Sequence, residues 1–320
     1  MSGRRYDLLY IDETGNDSIK INQKTVLKYK RIFGIPEEAS VTPTMIEHHW
    51  RLERALTEQL LSSTPETRWT VWESSYSKLY SECSWLNRLP VTQPQSDQLR
   101  YGHFLALIKD AKKIYEVGSG EGGLINFLAK QGYNCVATEV TRERSFERDT
   151  RENLEWHTTD GVNFSQREPL EYYDIVLSTQ VIEHLHPDDL ATHFSEARKI
   201  LKPGGKYILT TPHRFLGPAD LSRVFGKQHA MCMHLKEYSY SEIQRAVKNS
   251  GFSKIQAVFL PPNVIRKHIP LFFESHAYLS YITFCETKLE QLAERTGWRL
   301  PKLLLRMLLF MGDVTVVASK

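Results

Sequence analysis

From residue 113 onward, short apolar runs alternate with stretches patterned as helices, and this alternation most narrows the folds open to the chain. Parallel strands need a crossover of a dozen or more residues, usually a helix, so the pattern predicts repeated strand-helix-strand units and a parallel sheet. Lys113-Ile-Tyr-Glu-Val117 reads as the first strand and runs into Gly118-Ser-Gly-Glu-Gly122, after which Leu124, Ile125, Phe127 and Leu128 make a helix face. Asn134–Glu139, Asp174–Ser178, Lys206–Thr211, Lys254–Leu260 and Val314–Ala318 read as further strands, with Leu154-Glu-Trp-His157 a short apolar-polar stretch among them. Pro187, with Asp188 and Asp189 suited to the positive end of a helix, starts one helix, which stops at Lys202-Pro-Gly-Gly205. Ser239 and Glu242 have capping-box spacing for another, which ends at Gly251.

The 320 residues leave room for appended units beside such a sheet. Before it, Thr42 and Pro43 open a helix with apolar Ile46, Trp50, Ala55, Leu56 and Leu60. A second helix aligns Trp69, Trp72, Tyr76 and Tyr80 in an aromatic stripe, read first as core and second as a substrate-facing wall. Residues 261–312 read as an apolar helical insert before the last strand. No uninterrupted apolar stretch approaches the ~20 residues of a bilayer crossing, and the longest, Leu303–Met311, is broken by Arg306. The net charge of +3 is too small to imply a nucleic-acid partner. Cys83, Cys135, Cys232 and Cys285 form no Cys-x-x-Cys pair, which argues against a disulfide framework or structural zinc and suits a reducing cytoplasm. The opening Met-Ser-Gly-Arg-Arg-Tyr-Asp has no apolar leader pattern.

A glycine loop between a strand and a helix lets a ligand approach the backbone and meet the helix N-terminal N–H groups. Here Glu116 lies two residues before the first glycine. A carboxylate so placed would repel a pyrophosphate but suits a ligand carrying ammonium and sulfonium charges. The second strand ends in Glu139, where such folds place a carboxylate on ribose hydroxyls. Asp160 is suited to accept from an adenine amino group, or else is an ordinary turn aspartate before Gly161.

These segments resemble the class I S-adenosylmethionine-dependent methyltransferases over residues 96–260 plus the last strand. Glu116-Val-Gly-Ser-Gly-Glu-Gly122 is similar to their cofactor loop, Glu139 to their ribose carboxylate, Tyr173-Asp-Ile-Val-Leu-Ser-Thr-Gln-Val-Ile-Glu-His-Leu185 to their fourth-strand motif, and Leu201-Lys-Pro-Gly-Gly-Lys-Tyr-Ile-Leu209 to the entry into their fifth strand. The resemblance implies a Rossmann-like, seven-stranded, mostly parallel α/β sheet with helices on both faces. The residue patterns divide the chain into an N-terminal helical cap region (1–95), a methyltransferase domain (96–260), the apolar insert (261–312) and the last strand (313–320); the insert and the N-terminal helices read as an acceptor cap or else as apolar faces packed on each other or across a dimer. Carried over, cofactor contacts fall on Arg100, Glu116, Gly118, Ser119, Gly120, Glu139, Val140, Asp160, Gly161, Thr179 and Gln180, with Arg100 pairing with the cofactor carboxylate.

Within that family the ubiquinone-biosynthesis O-methyltransferases are most similar, through Leu99-Arg-Tyr-Gly102 and the Glu183-His184 pair. Motifs of nucleic-acid base and arginine methyltransferases are missing from Ser178-Thr-Gln-Val-Ile-Glu-His184. A small-molecule acceptor follows, methylated on oxygen, in the biosynthesis of a hydrophobic, lipid-linked or secondary metabolite. A sugar acceptor and a non-catalytic scaffold are the alternatives, although a scaffold would need neither Glu139 nor Glu183-His184. Glu183, His184 and His213 are the catalytic candidates, since histidine exchanges a proton near neutrality. Glu183 and His184, with His213 or His234, are alternatively ligands of a divalent metal, provided the backbone turns enough for adjacent side chains to converge. A peripheral membrane contact and a homodimer both stay open.

Overall fold

The computed structural model describes residues 19–86, 96–141, 151–261, 272–297, 301, 303–304 and 313–320. Its centre is a sheet of β1 (Lys113–Val117), β2 (Asn134–Glu139), β3 (Leu154–Thr158), β4 (Tyr173–Thr179), β5 (Leu201–Pro212), β6 (Lys254–Phe259), β7 (Phe273–Ser275) and β8 (Asp313–Ser319). The order is β3-β2-β1-β4-β5-β8-β6-β7. Strands β1 to β5 are mutually parallel, β8 is antiparallel to β5 and β6, and β7 is antiparallel to β6. The chain winds outward through β2 and β3, then returns to place β4 on the other side of β1. That reversal opens a crevice beyond the carboxyl ends of β1 and β4, where open α/β sheets bind ligands.

Alternation along the strands feeds two separate cores. Tyr115, Val117, Val176 and Leu209 face α6 (Leu190–Ile200), α7 (Tyr240–Asn249) and α8 (His276–Thr296), while Ile114, Ile175, Leu177 and Ile208 face α4 (Asp97–Leu107) and α5 (Gly123–Lys130). Each wholly buried aliphatic side chain of this kind contributes about 1.5–3 kcal/mol. The expected capping box of α7 forms, with Glu242 N on Ser239 Oγ and Ser239 N on Glu242 Oε2.

Three helices precede the sheet: α1 (Gln23–Ile32), α2 (Pro43–Leu61) and α3 (Arg68–Glu82). Thr42 caps α2 as its sequence predicts, accepting from Met45 N at 3.2 Å. Its buried face carries Ile46, Trp50, Leu56 and Leu60, but also Leu52 and Glu53 in place of the exposed Ala55. The three helices pack on Leu221, Val224, Cys232 and Met233 from the β5–α7 connection, and Val140 after β2 joins the same contact. An ion pair between Arg68 and Asp189 ties α3 to the start of α6.

The sheet has eight strands, where seven were expected. The addition, β7, lies in the stretch read as wholly helical, and three residues are too few to display a period of two. Leu154–Thr158 is a full strand, β3, and Lys202-Pro-Gly-Gly205 belongs to the irregular start of β5, because α6 already ends at Ile200. Pro187 opens a 3-10 turn, Pro187–Asp189, ahead of α6. Helix α8, the main described part of residues 261–312, packs on the sheet: Leu279, Ile282 and Leu289 are buried in its core. Most of Leu303–Met311 lies outside the described residues. No described helix is long and apolar enough to cross a membrane. All four cysteines are buried and free.

Candidate active site

The crevice between β1 and β4 holds a cavity of about 420 Å³. Its floor is made by the strand ends and the turns after them: Val117, Gly118, Glu121, Thr138, Glu139, Val140, Thr159, Gly161, Gln180 and Val181. Its roof comes from the N-terminal helices through Phe33, Glu53, Trp72, Tyr76, Leu79, Tyr80, Cys83 and Leu86, and His184 and Met233 close one side. Among the described residues, three glutamates and three large polar aromatics line it, with no lysine or arginine. A sulfonium or ammonium group is attracted by carboxylates and by aromatic faces, whereas a pyrophosphate would meet only repulsion.

The loop after β1 needs its glycines. Gly118 has φ +63°, and a Cβ there would lie 2.7 Å from Val181 Cγ2. The loop is pinned by Ser119 N on the Thr138 carbonyl at 2.7 Å and by Gly120 N on Glu139 Oε2 at 2.7 Å, while Glu139 Oε1 accepts from Val140 N at 2.9 Å. Glu139 is therefore held rigidly in the cavity floor. Glu116 lies beneath the loop, outside the lining, where burial pushes its carboxyl up to about 7 despite the Ser119 hydrogen bond.

Of the cofactor contacts expected from sequence, the structure places Gly118, Glu139, Val140, Gly161 and Gln180 on the cavity wall. Ser119, Gly120 and Thr179 adjoin it in the chain without lining it. Arg100 does not line the cavity; it is exposed on α4, with its guanidinium 5.1 Å from the Tyr101 ring centroid. Asp160 takes the turn role that was its alternative, its oxygens accepting from Val162 N, Asn163 N and Asn163 Nδ2.

The catalytic candidates separate. His213 is buried away from the cavity, with Nε2 2.9 Å from Glu286 Oε1 and Nδ1 accepting from Phe215 N, so the expectation that it acts on an acceptor does not fit. Glu286 also accepts from Tyr240 N and Ser241 N at the start of α7, making this a structural anchor. Glu183 and His184 stay together. The chain turns after β4, with Gln180 at φ +57° and His184 N on the Val181 carbonyl, and this bend lets neighbouring side chains converge. Glu183 is wholly buried. Its Oε2 accepts from Thr211 Oγ1 at 2.9 Å, its Oε1 has no hydrogen-bond partner, and burial pushes the carboxyl up to about 7.

His184 Nδ1 lies 2.9 Å from the Met233 carbonyl, which can only accept, so Nδ1 carries the hydrogen and Nε2 the basic lone pair. His234 stands edge-on to His184, ring centroids 4.7 Å apart, and contacts Glu237 Oε1 through Nδ1 at 3.0 Å. Burial works against a charged His234, yet the Glu237 hydrogen bond and the Glu183 and Asp220 carboxylates leave its pKa above the ordinary histidine value. Ligand atoms of Glu183, His184 and His234 all lie within 4.8 Å of one another.

The aromatic stripe of α3 packs as core, in Trp69, Trp72, Tyr76 and Tyr80, and its Trp72, Tyr76 and Tyr80 also line the cavity. Sequence reasoning passed over Glu53 entirely. The available signal was a carboxylate three residues from Trp50 and three from Leu56, on an otherwise apolar helix face. Glu121, Thr138, Thr159, Val181 and Met233 had no such signal.

The methyltransferase domain family matches residues 95–257. Over 108 residues the chain is 33% identical to the ubiquinone biosynthesis O-methyltransferase of Aliivibrio fischeri (strain MJ11), covering 32% of this chain and 45% of that protein. Over 104 residues it is 25% identical to the cyclopropane-fatty-acyl-phospholipid synthase of Escherichia coli (strain K12), covering 32% of this chain and 27% of that one. The match thus spans about half the length of the first relative or less. A SAM dependent methyltransferase structure from Archaeoglobus fulgidus superposes with a TM-score of 0.48 at 15% identity, covering 70% of this chain and 95% of that one.

Proposed function

Because the chain belongs to the methyltransferase domain family, we propose that it transfers the methyl group of S-adenosylmethionine to an oxygen of a small, largely apolar acceptor. One observation carries this reading: a single cavity joins the glycine loop and Glu139 to an aromatic roof that carries Glu53 and, among the described residues, no basic side chain. The cofactor is cationic, and when bound it supplies a methyl group activated by the sulfonium. The Gly118–Gly120 backbone and the Glu139 carboxylate suit its amino-acid and ribose parts. Roof residues 33–86 lie outside the family match, so acceptor choice is assigned to them.

The acceptor oxygen must lie in line with the methyl carbon and the bond that breaks, and such positioning supplies about 7–11 kcal/mol in favourable cases. The roof holds that alignment and excludes water. The proton lost from the acceptor passes to His184 Nε2, the nitrogen that the Met233 contact leaves without a hydrogen. A second reading is favoured by the Glu183, His184 and His234 cluster. Both imidazoles keep Nδ1 on a protein acceptor, the arrangement that orients Nε2 toward a metal, and Glu183 Oε1 is buried without a partner. A divalent cation held there would acidify an acceptor hydroxyl. The test is calorimetric titration with S-adenosylmethionine and S-adenosylhomocysteine: saturable one-site binding of both is expected, and absence of binding by the folded protein overturns the reading.

A further inference from the structure

A buried hydrogen-bond chain in the roof ends on a carboxylate that faces the cavity. Trp85 Nε1 donates to Tyr29 Oη at 3.2 Å, Tyr29 Oη lies 2.9 Å from His49 Nδ1, and His49 Nε2 lies 2.9 Å from Glu53 Oε1. The direction of the chain follows from chemistry. An indole N–H can only donate and a carboxylate can only accept, so Tyr29 accepts from Trp85, His49 donates from Nε2 to Glu53, and the neutral imidazole accepts a hydrogen bond from the Tyr29 hydroxyl hydrogen at Nδ1. Burial pushes the Tyr29 hydroxyl pKa up, so it keeps that hydrogen. His49 then carries its proton on Nε2 and donates to Glu53.

This arrangement has no evident value for folding alone. His49 is 0% exposed and Glu53 8%, on the face of α2 that otherwise buries Ile46, Trp50, Leu56 and Leu60. Burying a carboxylate is expensive unless its oxygens are satisfied. One oxygen is satisfied by His49. The other, Oε2, has no hydrogen-bond partner among the described residues, while Glu53 lines the cavity beside Trp72, Tyr76 and Tyr80. A carboxylate fixed by its back oxygen and open at its front accepts one hydrogen bond from whatever fills the roof.

We propose that Glu53 is the residue that recognises the acceptor, and that the acceptor carries, besides the atom methylated, a hydrogen-bond donor: a protonated amine or a hydroxyl. His49 and Tyr29 are positioning residues that act through Glu53. Acceptors bearing a carboxylate or phosphate at that point are rejected by the Glu53 charge. The inference rests on the methyl-transfer reading and deepens it.

The wild-type protein saturated with S-adenosylhomocysteine is titrated with phenethylamine, 2-phenylethanol and 3-phenylpropionate, read by quenching of tryptophan fluorescence. The amine and the alcohol are expected to bind, and the carboxylate to bind about tenfold more weakly than the amine or worse. Glu53→Gln should lower amine affinity about tenfold while S-adenosylhomocysteine affinity stays within about twofold. His49→Gln, whose amide still donates toward Glu53, should keep the amine affinity that His49→Leu loses. Equal binding of amine and carboxylate, no binding of any probe, unchanged amine affinity in Glu53→Gln, or cofactor affinity that falls in parallel would each overturn the proposal. If the wild-type protein fails to bind S-adenosylhomocysteine, the methyl-transfer reading falls instead, and the same probe series without cofactor still decides the role of Glu53.

Discussion

The His193 imidazole donates from Nδ1 to the Gly161 carbonyl at 2.7 Å, fastening a residue of the cavity wall to α6, and its Nε2 accepts from Tyr207 Oη at 2.7 Å. Burial lowers its pKa to about 4, opposed by the Gly161 hydrogen bond. The folded value is below the unfolded value of about 6.5, so this stability is complete above pH ~6.5 and lost as pH falls toward about 4, on the order of 3 kcal/mol in all. Glu116 and Glu183, both raised to about 7, act in the opposite sense as pH climbs from about 4.5 to 7. Only a difference measurement isolates the histidine. Urea unfolding of wild-type and His193→Gln across pH 4 to 7 should show a gap that narrows toward pH 4, and a constant gap would contradict the assignment.

Glu139→Ala removes an acceptor of charge-assisted hydrogen bonds in the cavity floor. Each such bond contributes about 1.5–3 kcal/mol, so cofactor affinity should fall about tenfold to a hundredfold. Calorimetry on the folded variant checks this, and unchanged binding would remove Glu139 from the site. Gly118→Ala should cost about 1–2 kcal/mol for the left-handed backbone alone, with the Val181 contact in addition, and should lower both the melting temperature and cofactor affinity.

The metal reading has its own signature. Wild-type protein stripped with a chelator should bind one equivalent of zinc by calorimetry, and both Glu183→Gln and His234→Ala should weaken that binding at least about tenfold. Stoichiometric binding that survives both substitutions would place the metal elsewhere.

Hydrogen exchange separates floor, roof and remainder. Bound S-adenosylhomocysteine should protect residues 116–140 and 159–181, while α8 should keep its own rate because none of its described residues lines the cavity. Protection concentrated in residues 276–296 would show that helix to be part of the site after all.

The strand, glycine loop and helix from Lys113 to Lys130 were legible in sequence because their geometry is local. A positive φ at Gly118 and a helix start just beyond Gly122 are decided by residues adjacent in the chain. Glu139 was legible for a related reason: the parallel β1–β2 unit has a fixed connection, and its strand end must stand beside the loop. Where Arg100 stands relative to the cavity was not legible, because a residue on an exposed helix face is aimed by the rotation of α4, which spacing does not reveal.

The sequence by itself determined the parallel strands, the glycine loop and Glu139, since periodicity and turn chemistry act within a few residues. Tertiary structure alone decided which side chains meet. His184 is joined by His234, fifty positions later, while His213, which sequence had grouped with it, is drawn to Glu286 in a helix after β7. Glu53 enters the cavity only because α2 packs on the β5–α7 connection, with Met233 N on Thr57 Oγ1 at 2.7 Å. Such contacts depend on how whole elements rotate and stack to bury their apolar faces. That is a property of the packed core, and no local window of sequence contains it.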